Sequence, residues 1–445
     1  MSFPSKPDSF FHYGSGLALE ARRASPDSRR VFEHSWQEND LAALGSGLSL
    51  APAGFGKGRC SVGMENFDRI LTFDAENGLV EVEAGITLGR LASCTLQHHW
   101  YLAIQPGHPM ITVGGCIASN AHGKNQYRDG TFYDIVQELR LFHPDHGTLE
   151  LKKGDPLFEL TCGGYGLTGL ILSSKLQLKR LPSQQVRVKS LPCPHLRELP
   201  QRLSEESENS DLLYSWHDLM SQRPMNGPSF IRTGSFEPTP PGAIRWDAYN
   251  FQGRIKSHHP WIKKLPCFYT PLSTKLLNRW FYSSETKKSD SVQELDSVLF
   301  PVKDRMIYYH LFGRRGLIEM QWLFPLDAWD SICTAIEKVT HQYSGPITLA
   351  SGKYFRGTRS GLRFSGTGLC FSINVPHSPS GVSFAEDVDA IGVEHGGIPN
   401  LIKDARLPAK VVKACYPDFD SFVDQLHRHD PKRRFGSELS LRLGI

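Results

Sequence analysis

The stretch Pro106-Gly-His-Pro-Met-Ile-Thr-Val-Gly-Gly-Cys-Ile-Ala-Ser-Asn-Ala-His-Gly-Lys-Asn125 decides how this chain is read. Gly114, Gly115, Ala118, Ser119 and Ala121 leave a backbone that a large planar ligand can approach closely, and Thr112, Ser119, Asn120 and Asn125 offer polar partners. A packed helix would not choose this composition. Upstream, Leu79–Gly85 alternates apolar and acidic residues as a half-buried strand does, and Leu88–Leu96 carries helical periodicity before the turn at 105–109. Downstream, Ile135–Leu151 predicts a hairpin about the His143–Gly147 turn, and Thr168–Leu181 predicts one long strand.

Two further glycine-rich segments flank this unit. In Ala51-Pro-Ala-Gly-Phe-Gly-Lys-Gly-Arg-Cys60, glycines 54, 56 and 58 let backbone amides turn towards a pyrophosphate, although Lys57 is followed by Gly, so it is no Walker loop, and the Rossmann register is missing. Standing alone, this segment reads first as a flexible surface turn. Cys162-Gly-Gly-Tyr-Gly-Leu-Thr-Gly169 puts glycines before a strand, where backbone or ligand approaches closely.

After Pro182 the glycines thin out. Gly316–Pro325 and Gly368–Pro376 are expected strands leading into helices at Leu326–His341 and near Phe384–His395, which suggests an antiparallel sheet covered by helices. At 445 residues the chain exceeds the roughly 250–300 at which single cores stop growing, so two domains are expected. The net charge of +4 gives no field that calls for nucleic acid. Nine scattered cysteines without a Cys-x-x-Cys pair argue against a disulfide framework and a zinc ribbon, and a reducing cytoplasm fits best. No leader or membrane span is expected from the sequence. His98-His99 and the His427, His429 pair lack a matching second pair, so they are expected to be solvated and no metal site is assigned.

The spaced set PG…TVGG.IA…HGKN, then FELTCGGYGLTG, then Asp430-Pro, Arg434-Phe435 and Arg442-Leu443, resembles the vanillyl-alcohol-oxidase class of FAD-linked oxidases. Within it the chain is most similar to oxidases of the 2′-hydroxyl of a polyprenyl-phosphate pentose, the flavin halves of an epimerising pair. The resemblance implies an α+β, two-domain PCMH-type fold. Its FAD-binding domain would span 1–182, an inserted substrate domain 183–397, and the chain would return to the FAD domain over 398–445. By that similarity FAD would sit on Gly54, Phe55, Gly56, Lys57, Gly58 and Ser61, on Gly107, on Thr112, Val113, Gly114 and Gly115, on Ser119, Asn120, His122, Gly123 and Asn125, and on Ile171. Covalent members attach flavin to a histidine in the first glycine loop. Here Arg59 and Cys60 stand in that neighbourhood, so non-covalent FAD is expected.

Hydride transfer to a flavin needs a group that takes or shares the hydroxyl proton. The resemblance puts Lys403 in that role, with a depressed pKa, beside His122. Read without it, Lys403 is a solvated lysine and His122 a structural histidine. Lys124, Trp216, Gln321 and Lys353 match substrate-pocket positions, whereas Phe312, Glu319 and Ser372 replace a tyrosine, a glutamine and a cysteine. The implied substrate is a sugar or lipid-linked sugar, with a separate short-chain reductase as partner. A soluble alditol or aldonolactone oxidase and a catalytically silent flavin protein are the alternatives. Basic and aromatic residues alternate through 248–284 (Arg254, Lys256, Lys263, Lys264, Lys275 and Arg279 with Phe251, Trp261, Phe268, Trp280 and Phe281), with no Asp or Glu. Either a solvated loop or peripheral contact with an anionic membrane fits this pattern.

Overall fold

The structure is a computed structural model describing residues 5–11, 18–33, 40–238, 265–301 and 307–445. The N-terminal part holds two sheets. In the first, the hairpin of β1 (Ser5–Phe11) and β2 (Ala18–Ala24) is extended by the parallel strands β3 (Leu41–Leu44) and β4 (Cys60–Gly63), in the order β1-β2-β4-β3. The second sheet is antiparallel. It consists of β5 (Ile70–Asp74), β6 (Leu79–Glu83), β8 (Val136–His143), β9 (Gly147–Lys152) and β10 (Leu170–Gln177), ordered β5-β6-β10-β8-β9, while the short β7 (Trp100–Tyr101) stands apart.

The alternation at 79–85 has the expected result: Val80 and Val82 are fully buried and pack against the helix Leu88–Thr95, whose first turn is capped by Thr87. The strand predicted over 168–181 is interrupted. A bulge separates Ile171 from Ser173, β10 ends at Gln177, and β11 (Lys179–Arg180) pairs instead with β7.

A new antiparallel sheet starts after Arg180. Its strands are β12 (Gln185–Pro192), β13 (Leu212–His217), β14 (Ser229–Phe236), β15 (Asp290–Glu294), β16 (Leu317–Phe324), β17 (Leu349–Phe355), β18 (Gly368–Pro376) and β19 (Ile398–Pro399), ordered β15-β12-β14-β13-β17-β18-β16-β19. Every residue of β16 and of β18 is buried, yet each strand has two chemical faces. Ile318, Met320, Trp322 and Phe324, with Phe371, Ile373 and Val375, pack under the helices Trp329–Gln342 and Pro379–Glu394. The alternate residues Glu319, Gln321, Ser372 and Asn374 point the other way, because side chains alternate along a strand. The second helix begins five residues before the predicted Phe384, with Ser378 capping it and Pro379 in its first turn. At Gly392 a Cβ would stand 2.5 Å from the Trp322 ring, so glycine there lets helix and sheet close on one another.

After Pro399 the chain returns to the first sheet. Leu41 donates to Arg434 O at 2.7 Å, Gly436 donates to Leu41 O at 3.0 Å, and Phe435 enters the core formed by Cys60, Val62 and Leu170. Among the described residues no helix is long and apolar enough to cross a membrane.

Candidate functional site

The small-residue segment is not the helix-free stretch its composition suggests. Val113–Ala118 forms a short helix, capped by Thr112, whose hydroxyl accepts from Gly115 N at 3.2 Å. Val113 and Gly114 donate to Ile86 O and Ala84 O, which binds this turn to the end of β6. The small residues are there because other backbone presses on them. A Cβ on Gly114 would stand 3.0 Å from Ala84, and the third glycine stretch packs behind, with Gly163 donating to Ile117 O and Tyr165 to Ala118 O. Close approach in Cys162–Gly169 is to the protein itself, to backbone at Gly164 and Gly169 and to the side chains of Arg363 and Ala43 at Gly163 and Gly166.

The first glycine segment lies elsewhere than expected. Gly56 abuts Ser437 and Glu438, Lys57 N donates to Glu438 Oε1 at 2.7 Å, and Phe55 stacks on Phe10. Gly54 backs onto Leu44, and Gly58 has a positive φ of 78° at an open turn. This loop is bound to the C-terminal return. What meets the Thr112 turn is the loop directly after β3: a Cβ on Gly45 would stand 2.6 Å from Thr112 Oγ1, and Ser46 Oγ donates to Met110 O at 2.5 Å. The signal in the sequence was Gly45-Ser-Gly-Leu-Ser49 at the carboxyl end of a four-residue apolar strand, where ligands approach open sheets.

These turns suit FAD. A Cβ on Gly47 or on Gly107 would meet nothing within 4 Å, and one on Gly115 would meet only Thr112 Oγ1 at 3.1 Å, so the backbone there is open to a ligand. Ser61, fully buried in β4, and Asn120, with φ of 46°, keep a side-chain hydroxyl and an amide nitrogen without hydrogen-bond partners among the described residues. Ser119 Oγ donates to Gly115 O, and Ile171 sits at the β10 bulge. Asn125 is already committed to the protein: its amide nitrogen donates to Ala103 O and Asp129, and Gly123 is packed against it.

The polar face of the eight-stranded sheet gathers most of the expected substrate residues. Register places Gln321 opposite Ser372 and Ser372 opposite Ser351. Gln321 Nε2 donates to Ser372 Oγ at 2.6 Å and to Glu319 Oε1 at 3.4 Å, while Asn400 Nδ2 donates to Gln321 Oε1. Lys403 follows in a turn fixed on both sides, by Asn400 and by Asp404, which pairs with Arg442. Ala51 N donates to Ile402 O, so this turn sits against the N-terminal part. Trp216, 4% exposed, is stacked between Phe230 and the helix residues Phe281 and Tyr282.

Lys403 Nζ lies 3.5 Å from Glu319 Oε1. Burial pulls its pKa down, but Glu319 and Tyr309 outweigh that, and the net shift is upward. The expected depression is thus reversed, and Lys403 stays an ammonium. Burial, reinforced by Lys353 and Lys403, drives His122 well below its usual pKa and keeps it neutral, wedged between Phe355 and Phe364 at 4.9 and 5.7 Å. Burial, then Lys353 and Arg232, lowers Lys124 to about 7; its Nζ donates to Val298 O. Lys353 is lowered chiefly by burial.

Two expectations are corrected here. Phe312 is fully enclosed with Leu50, Tyr269 and Leu317. The phenol that neighbours Lys403 and Glu319 is Tyr309, three residues earlier in a short helix, where sequence spacing could not single it out. His429 is half-buried, not freely solvated: its ring lies 4.9 Å from both His143 and His146, with Nε2 bonded to Thr168 O. Among the described residues no group of three or more His, Cys, Asp or Glu is arranged to hold a metal ion.

Residues 31–151, which carry both the Gly45 loop and the Thr112 turn, match the family model of the FAD binding domain. The chain is an FAD-dependent oxidoreductase. This oxidoreductase is 26% identical over 91% of its length to decaprenylphosphoryl-beta-D-ribose oxidase of Mycolicibacterium smegmatis, covering 89% of that protein. It is 33% identical to the mitochondrial L-galactono-1,4-lactone dehydrogenase of Brassica oleracea over 33% of its own length and 24% of that protein's. With the D-lactate dehydrogenase of Anaerostipes hadrus it shares 28% identity over 35% of this chain and 33% of the relative. All three matches are to oxidoreductases that act on an alcohol or a sugar. FAD supplies the hydride acceptor, and the oxidoreductase's own residues bind, orient and handle the proton.

Proposed function

We propose that this oxidoreductase oxidises a secondary hydroxyl of a sugar carried on a polyprenyl phosphate, with FAD held non-covalently. The observation that carries this reading is the assembly of Lys403, Glu319, Gln321, Ser372 and Lys353 on one face of the large sheet, beside neutral His122. That is a wall of hydroxyl and anion partners suited to a phosphorylated sugar. The near full-length similarity to an oxidase of a lipid-linked ribose supports the substrate class. The loops that meet the Thr112 turn contain no histidine, which supports a dissociable cofactor.

As an ammonium, Lys403 donates to the substrate oxygen and stabilises the alkoxide developing there; it does not remove the proton. His122, the other group beside that oxygen, is neutral and a weakened base, because burial and the ammoniums of Lys353 and Lys403 disfavour its protonated form, so it shares the hydroxyl proton by hydrogen bonding. Glu319 holds Lys403 charged and accepts from a sugar hydroxyl where a glutamine would also donate. The keto product would pass to a separate nicotinamide-dependent reductase, giving net epimerisation.

The test is anaerobic bleaching of the flavin with polyprenyl-phosphate pentose, free pentitols and aldonolactones in parallel. Bleaching by the lipid-linked pentose is expected; bleaching by free polyols or lactones alone would transfer the chain to the soluble alternative. A flavin that no sugar reduces would favour a silent binding protein.

A further inference from the structure

The helix Pro271–Lys287 has two faces with different surroundings. Its inner face packs on the protein: Asn278 Nδ2 donates to Asp218 at 2.7 Å, Phe281 meets Trp216 with ring centroids 5.2 Å apart, and Glu285 pairs with Arg232. Its outer face carries Leu272, Leu276 and Trp280 at successive i, i+4 positions, exposed by 70, 60 and 67%. Phe268 lengthens the stripe and Leu277 widens it. Of the nine large apolar side chains exposed among the described residues, these five fall within one 13-residue run, too concentrated for scattered surface residues.

Charge says what covers this face. Lys275 and Arg279 stand exposed beside the stripe, Lys287 and Lys288 at the end of the helix, and Arg314 and Arg315 by its start, where Arg314 N is bonded to Leu265 O. The helix's single acidic side chain, Glu285, is turned inward to Arg232. An apolar stripe flanked by these cations is unsuited to a second copy of the same face, because a two-fold contact would set them against their own kind. Residues 248–264 are themselves basic, with no acidic residue to answer them. A bilayer with anionic headgroups answers both features, receiving the apolar stripe at the acyl boundary and pairing with the rim.

We propose that the outer face of Pro271–Lys287 docks this protein on an anionic lipid bilayer. Docked so, the Trp216–Phe281 wall stands one helix diameter, about 10 Å, from the lipid surface, so a lipid-linked sugar reaches the site without leaving the membrane. That consequence rests on the proposed function; the docking does not.

Sedimentation of the FAD-loaded protein with vesicles tests it without turnover. Binding is expected to phosphatidylcholine vesicles containing phosphatidylglycerol, at least about tenfold weaker to phosphatidylcholine alone, and weakened by salt. Leu276→Asp with Trp280→Asp, and separately Lys275→Glu with Arg279→Glu, should each lower partition by at least about tenfold, with flavin absorbance and melting temperature unchanged. Absence of binding to the anionic vesicles overturns the proposal, as does binding that neither double variant weakens. Self-association abolished by the same variants would assign the face to a second copy. Vesicle binding that emerges only once the chain is nicked within 239–264 would assign it to that segment. Both results would also overturn the proposal.

Discussion

The candidate cofactor turns and the proposed substrate wall are built on opposite plans. Around Gly45, Gly47, Gly107 and Thr112–Gly115 the chain offers backbone and small side chains. Across from it, the face of the large sheet is made of long side chains whose charges govern one another: Lys403 with Glu319, His122 with Lys353 and Lys403, Lys124 with Lys353 and Arg232. Fitting a planar cofactor is a matter of shape, which backbone conformation decides, whereas steering a hydroxyl proton is a matter of electrostatics, which pairs of side chains decide. Damage to each side should therefore have its own signature.

The sharpest separation is expected from Lys403→Met. It should keep the flavin spectrum and lower kcat/KM for the sugar substrate by about 10²–10³, the range for removing one preorganised donor to a developing oxyanion. Loss of flavin from this variant would merge the two sides. Gly115→Val makes the converse test. Its side chain would press on Thr112 Oγ1 and fill the open cradle, so FAD retention, read as absorbance per protein after gel filtration, should drop roughly tenfold or more.

Next in size is Glu319→Gln. Without the carboxylate, burial is left to pull Lys403 down, so the alkaline limb of the kcat/KM profile should move to lower pH. A limb that stays in place would show that Glu319 does not govern Lys403. For Lys124, lowered to about 7, the ammonium is present below that pH and lost above it. Affinity for a phosphorylated sugar should therefore weaken as pH rises through about 7, and Lys124→Arg should flatten the dependence. The smallest effect is expected from Gly58→Ala. Its φ of 78° makes alanine strained by about 1 kcal/mol, which lowers the melting temperature, yet FAD retention should hold because this loop serves the C-terminal return.

Much of the fold was legible because burial leaves a periodic trace. The strand at 79–83, the hairpin about 143–147 and the strands 317–324 and 368–376 all follow from alternation or apolar runs. The interrupted β10 was not legible, since a bulge and a change of partner leave the residue pattern almost untouched. Of the basic and aromatic stretch expected to be a solvated loop or a membrane contact, 248–264 lies outside the described residues, and most of the remainder lies in the helix Pro271–Lys287.

By itself the sequence determined that the segment at 106–125 would be approached closely, because small residues leave no side chain in the way whatever the surrounding fold. Only the tertiary structure decided which loop joins it. Gly45–Ser46 reaches Thr112 because β3 runs parallel to β4 and ends there, while glycines 54–58, equally plausible as letters, are drawn to Glu438 by the returning chain. It likewise decided that Lys403 is charged and that Tyr309, not Phe312, stands by it. The charge state of Lys403 depends on Glu319 and Tyr309, distant along the chain, and spacing carries no record of distance in space.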